Sequence, residues 1–214
     1  MIPVIAIVGK SNIGKTTFIE KLLPEIISRG YRVATIKHDV HGFEVDKEGK
    51  DSWRHRKAGA ACTVISSPKQ LALIRDIDHD AMPDEVLGRF ISDVDLVITE
   101  GYKREPLPKV EVYRSSMYPE PLCTKDDNLI AVMSDKPLDL GAPCLGLDDV
   151  KELTDIIEQR FLAPRQMDTL RLVVDGELVP LKPFIDTLLK NAIKGMTASL
   201  KGCANPHEIE ISIR

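Results

Sequence analysis

The residues with the clearest chemistry are Gly9-Lys10-Ser11-Asn12-Ile13-Gly14-Lys15-Thr16-Thr17. They fit the G-x-x-x-x-G-K-[ST] spacing of a loop that wraps nucleotide phosphates. Each position has a reason. Gly9 and Gly14 allow backbone geometries that a Cβ would obstruct. Lys15 carries a point charge to the β- and γ-phosphates, and the Thr16 hydroxyl is placed to ligand Mg²⁺. Lys10, Asn12, Ile13 and Thr17 complete the phosphate-binding stretch around them.

Such a loop works only between a strand and a helix, and the flanking residues supply both. Ile2 to Val8 is a short apolar run of buried-strand type, and Phe18, Ile19, Leu22, Leu23 and Ile26 repeat at helical spacing. A strand, a glycine loop and a helix in that order set unpaired N–H groups at the positive end of a helix dipole, which attracts phosphate.

The pattern then alternates. Gly30 closes the first helix and Arg32 to Lys37 reads as a second strand, followed by a polar stretch from His38 to Asp51. Ser52 to Gly59 reads as a short basic helix, and Ala61 to Ser66 and Gln70 to Ile74 as a hairpin around Ser67-Pro68-Lys69. Asp84 to Ile91 and Asp149 to Phe161 are helical; Asp95 to Thr99, Val110 to Tyr113, Leu129 to Met133 and Cys144 to Leu147 are strand-like. Strands alternating with helices predict an α/β fold of the P-loop NTPase class over residues 1–163, a mostly parallel sheet with helices on both faces. The ligand then belongs beyond the carboxyl ends of the strands, where the phosphate loop, His38, Glu100 and Ser134 all fall.

Leu162-Ala163-Pro164-Arg165-Gln166 reads as a linker into a different pattern over residues 168–214. Leu170 to Val174 and Glu177 to Leu181 flank Asp175-Gly176, a hairpin turn signal. Phe184 to Leu200 is helix-periodic and Glu208 to Ile213 alternates as a strand, which makes a small ββαβ unit. So short a unit is marginal alone and is expected to pack on the main domain or on a second copy.

Composition narrows the class. A chain of 214 residues with 43% hydrophobic and 29% charged residues reads as an ordinary globular protein. No apolar run approaches the roughly 18 residues of a membrane helix, and no basic-then-apolar leader precedes the first strand. Cys62, Cys123, Cys144 and Cys203 lack the paired spacing of a zinc or redox site, so a reducing cytoplasmic setting is expected. A formal net charge of -4 with no run of lysine or arginine disfavours a nucleic-acid partner.

Beyond the loop, Glu100 stands at a strand end beside Gly101, where a carboxylate supports Mg²⁺ through water. Asp51 is a second metal candidate, in the charged Gly49-Lys50-Asp51-Ser52 turn. Lys37, His38 and His41 surround the same edge and read as anion contacts for substrate or phosphate. No cysteine or third histidine stands close enough to turn them into a zinc site. Arg54, Arg56 and Lys57 follow one helical face and offer positive charge to an anionic substrate.

Taken together, IKHDVHGFEVDKEGKDSWRHRKAGA from Ile36, DLVITEGYK from Asp95, IAVMSDKP from Ile130 and the phosphate loop resemble the molybdopterin-guanine dinucleotide biosynthesis adapter proteins, the MobB family. The resemblance spans roughly residues 2 to 160. It implies GTP and Mg²⁺ as cofactors, and a role beside a molybdopterin guanylyltransferase and its molybdopterin substrate. Hydrolysis of GTP is implied to be slow at most, and the sequence offers no arginine finger or water-orienting residue. Guanine is commonly read by Asn-Lys-x-Asp, whereas this chain has Ser134-Asp135-Lys136-Pro137. Ser134 and Asp135 are thus the expected guanine contacts, on a pattern that departs from the common one.

Gly9-Lys10 also resembles the variant loop of dimeric P-loop proteins, whose first lysine reaches a nucleotide across the dimer. With the small C-terminal unit, this predicts a homodimer. Two other functions fit the same loop: a small-molecule kinase, whose acceptor would bind the segment from His38 to Asp51, and an interaction module switched by nucleotide.

Overall fold

A computed structural model describes residues 2–39, 42–162, 170–200 and 209–211. Six parallel strands form the central sheet: β1 (Val4–Val8), β2 (Val33–Lys37), β5 (Leu96–Glu100), β6 (Lys109–Tyr113), β7 (Leu129–Ser134) and β8 (Cys144–Leu145). Their order is β2-β5-β1-β6-β7-β8. All five residues of β1 are buried, as expected of a central parallel strand covered on both faces.

The two faces take alternate residues of β1. Ile5 and Ile7 pack with Phe18, Leu22 and Ile26 of α1 (Lys15–Ser28) and with Leu153 and Ile157 of α4 (Val150–Phe161). Val4 faces the other way, against Val97 and Leu87 of α3 (Pro83–Phe90). Helices therefore cover both faces, as the alternating pattern predicts.

The chain leaves this sheet between β2 and α3. That excursion contains α2 (Asp51–Lys57) and the antiparallel hairpin of β3 (Thr63–Ser66) and β4 (Leu71–Ile74), which pair only with each other. Val64, Ile65, Leu71 and Leu73 of the hairpin are exposed. The expected helix and hairpin both form within two residues of their predicted bounds.

In the C-terminal region, β9 (Leu172–Val174) and β10 (Glu177–Val179) pair around Asp175 and Gly176, both with positive φ (53° and 86°). This is the conformation that an Asp-Gly hairpin turn favours. The hairpin packs on α3, with Leu178 against the Leu87–Val97 cluster. Gly88 allows the approach: a Cβ there would stand 2.3 Å from the Gly176 carbonyl oxygen. Arg171, at the head of β9, donates to the Ile91 carbonyl at the end of α3. The helix α5 (Pro183–Ala198) follows, and Phe184, Leu188 and Met196 on it are exposed.

One expectation is described only in part. Of the final strand expected over residues 208–213, Ile209 to Ile211 are described and are not in a strand. The C-terminal unit is thus ββα among the described residues, and the expected linker beyond Leu162 lies outside them. Among the described residues no helix is long and apolar enough to cross a membrane. Burial, and secondarily Glu111, push the Cys123 thiol up to about 12, in keeping with a packing role for that cysteine.

The docked hairpin makes a test possible. Gly88→Ala should cost about 1–3 kcal/mol of stability through the clash with Gly176. Gly195→Ala meets nothing within 4 Å on α5 and should be neutral or stabilising by up to about 1 kcal/mol. Chemical unfolding of the two variants checks the difference; equal midpoints would mean the hairpin does not press on α3.

Candidate functional site

The phosphate loop lies at the carboxyl end of β1, between β5 and β6, where the strand order turns in both directions from the middle of the sheet. Such a switch point leaves a crevice for a ligand. Gly9 has φ 147°, and a Cβ on it would meet the Val112 carbonyl of β6 at 2.5 Å, so only glycine lets the loop start this close to the sheet. Ile13 is 1% exposed and inserted into the main core, which pins the loop from within. Asn12 is left-handed at φ 57°, and Gly14 caps α1 in the same region. Thr16 and Thr17 are exposed on the first turn of α1.

The carbonyls of the loop are occupied from outside the crevice or along its rim. Tyr118 donates its hydroxyl to the Ser11 carbonyl at 2.8 Å, and Arg114 Nε donates to the Ile13 carbonyl at 3.1 Å. Lys15 Nζ donates to the Gly9 and Lys10 carbonyls at 3.3 and 3.1 Å. Lys10 lies over the Tyr118 ring, 5.1 Å from its centroid. With these carbonyls held, the loop presents its N–H groups as anion donors.

Glu100 closes the other side. It ends β5, level with Ile7 of β1 and Lys37 of β2, and accepts the Thr16 hydroxyl at 2.9 and 3.2 Å. A threonine hydroxyl beside a carboxylate is the all-oxygen donor pair that suits a partly hydrated Mg²⁺. Burial lowers the Lys15 pKa; Glu100 opposes the shift, and Lys103 and Lys37 add to it by repulsion. Three ammonium groups near one loop favour an anionic ligand.

His38 follows β2 and is clasped rather than free. Its Nε2 meets the Asp80 carboxylate at 2.8 and 3.0 Å, and its ring stacks on Tyr102 at 4.2 Å. Lys37 is exposed beside it, while His41 lies outside the described residues. Asp51 and Arg54 are both exposed on α2, 3.8 Å apart. Among the described residues Asp51 makes no hydrogen bond or ion pair with Thr16 or Glu100.

At the end of β7 the Ser134 hydroxyl closes its own turn, donating to the Lys136 carbonyl and accepting the Lys136 N–H. Asp135 Oδ1 accepts the Ser115 N–H at 2.8 Å, and that bond holds its carboxyl below the usual range. Ser134 therefore ends β7 and Asp135 follows it at the carboxyl edge of the sheet, with Asp135 tied to the turn that also carries Arg114. No motif marks Arg114 or Tyr118 in the sequence. Arg114 does carry one signal, its place immediately after a strand, which it shares with His38.

The chain also matches known proteins over most of its length. The family model described as molybdopterin guanine dinucleotide synthesis protein B matches residues 4–135. The molybdopterin-guanine dinucleotide biosynthesis adapter protein of Haemophilus influenzae is 38% identical over 158 residues, covering 73% of this chain and 88% of that protein. A putative adapter of the same description from Methanocaldococcus jannaschii is 28% identical over 233 residues. That match covers 98% of this chain and 97% of the relative, so it extends through the C-terminal unit. The crystal structure of a molybdopterin-guanine biosynthesis protein B superposes with a TM-score of 0.60 at 30% identity, covering 75% of this chain and 99% of that one. With its nucleotide-type loop and these matches over most of its length, the chain belongs to the MobB family.

Proposed function

We propose that this protein binds GTP with Mg²⁺ and acts as an adapter in molybdopterin-guanine dinucleotide biosynthesis. The observation that carries the reading is the Thr16–Glu100 pair at the mouth of a pinned phosphate loop, in a chain of this family. Gly9, Lys10, Asn12, Ile13, Gly14, Lys15, Thr16 and Thr17 would cradle the phosphates. Thr16 and Glu100 would hold the metal, whose chemistry is to neutralise phosphate charge. Asp135 would face the base, and Lys37 and His38 an anionic group of the substrate. The partners are a molybdopterin guanylyltransferase and molybdopterin, in the cytoplasm, and hydrolysis is slow at most.

Titrating the purified protein with GTP, ATP and CTP in the presence of Mg²⁺ tests this directly. GTP should bind most tightly, and failure to bind any of the three would remove the reading. Lys15→Ala should weaken GTP roughly tenfold or more, because a charge-assisted phosphate contact is worth about 1.5–3 kcal/mol. Calorimetry with near-wild-type affinity would contradict the role given to Lys15.

Glu100→Gln separates metal from phosphate. It should weaken binding measured with Mg²⁺ while leaving GDP binding without metal nearly unchanged. Equal losses under both conditions would make Glu100 a structural residue.

We also infer a homodimer, formed through the exposed apolar face of α5. Leu188 is 52% exposed and Met196 61% exposed on that helix, and a second copy would bury them. Leu188→Glu should lower self-association in sedimentation runs while GTP binding persists. A monomeric wild-type chain, or an unaffected dimer, would overturn this interface.

A further inference from the structure

We propose that Arg114 is the residue that holds the nucleoside, packing its guanidinium plane on the purine of the bound nucleotide. The inference rests on the nucleotide reading above and names which side chain meets the part of the ligand beyond the phosphates.

Direction comes first. Thr16 and Glu100 meet on the β5 side of the loop, and Lys37 stands level with Glu100 on β2. Thr16 and Glu100 would hold a metal that neutralises phosphate charge, and Lys37 and Lys103 add positive charge beside Lys15, so the phosphates belong towards that side. The nucleoside must then leave on the opposite side of β1, over β6, β7 and β8.

Arg114 is the first residue there. Its Nε is fixed to the Ile13 carbonyl at 3.1 Å, which anchors the head group on the loop. A Cβ built on Gly14 would lie 3.6 Å from both its Nε and Nη2, so the absence of a side chain at Gly14 leaves the guanidinium room beside the loop. The side chain is half-buried. The neighbouring turn is braced as well, since the Ser115 N–H binds Asp135 and the Arg114 carbonyl accepts from Met117 and Tyr118. Beyond Arg114 lies Asp148, held by Lys21 of α1 and, more weakly, by the Arg114 charge. The plane thus lies between the phosphate loop and the β7–β8 end of the sheet, on the path a nucleoside would take. Guanidinium planes stack on aromatic faces, whereas a lysine ammonium has no plane to offer.

The test compares GTP with inorganic tripolyphosphate, both titrated with Mg²⁺ by calorimetry. The ratio of the two affinities cancels any loosening of the loop that loss of the Ile13 bond causes. In Arg114→Ala the GTP-to-tripolyphosphate ratio should fall about three- to tenfold, the range of a partly desolvated cation–π contact. Arg114→Lys keeps the charge but loses the plane, so the ratio should also fall, by less than in the alanine form, and it serves alone if the alanine form does not fold. An unchanged ratio, with or without equal losses for both ligands, overturns the proposal, as does full retention of the ratio by lysine. A wild-type protein that binds tripolyphosphate as tightly as GTP also overturns it while sparing the phosphate loop. A wild-type protein that binds neither refutes the nucleotide reading itself.

Discussion

A single steric constraint sets the rest of the site. Gly9 starts the phosphate loop against the carbonyl of Val112, where a Cβ would have only 2.5 Å, and Ile13 is buried four residues later. Between those two fixed points the backbone has little freedom. Ser11 and Ile13 turn their carbonyls to Tyr118 and Arg114, and the helix begins at Lys15 with its first N–H groups unpaired by the helix itself. The backbone of such an anion site is shaped before charge arrives, and only side chains such as Lys15 have to change partners. The cost of ordering the loop is met in folding, through burial of Ile13 with Phe18 and Leu22.

Charge is distributed unevenly around that loop. On the β5 side stand Lys15, Lys37 and Lys103, with Glu100 as the one carboxylate that opposes the lowered Lys15 pKa. On the β6–β8 side stand Arg114, Asp135 and Asp148, of which the two carboxylates are already bonded to a backbone N–H and to Lys21. The first side suits phosphate and metal. The second suits a neutral, polar and planar group, which is what a nucleoside presents.

Local signals made the frame legible. The apolar run of β1, the 3.6-residue repeat of α1 and the Asp175-Gly176 turn each encode their conformation within a few residues, and the structure contains all three. The position of Glu100 at a strand end was likewise readable, because register in a parallel sheet aligns strand ends. Contacts between distant segments left no such trace. Arg114 and Ile13 are 101 residues apart, Tyr118 and Ser11 are 107 apart, and His38 and Asp80 are 42 apart.

The clasp of His38 by Asp80 connects two parts of the fold that the strand order keeps separate. Between these residues the chain makes its excursion through α2 and the β3–β4 hairpin, and the two ends meet at one imidazole. The His38 N–H bonds to the Glu100 carbonyl at 3.0 Å, and the ring stacks on Tyr102, two residues past Glu100. The Tyr102 hydroxyl in turn donates to the Ala81 carbonyl, next to Asp80. Four contacts thus close a ring around the end of β5. The backbone at the end of β5 is thus tied to the base of the excursion, while the Glu100 carboxylate itself meets Thr16. The end of β5 and the return of the excursion therefore meet at one histidine.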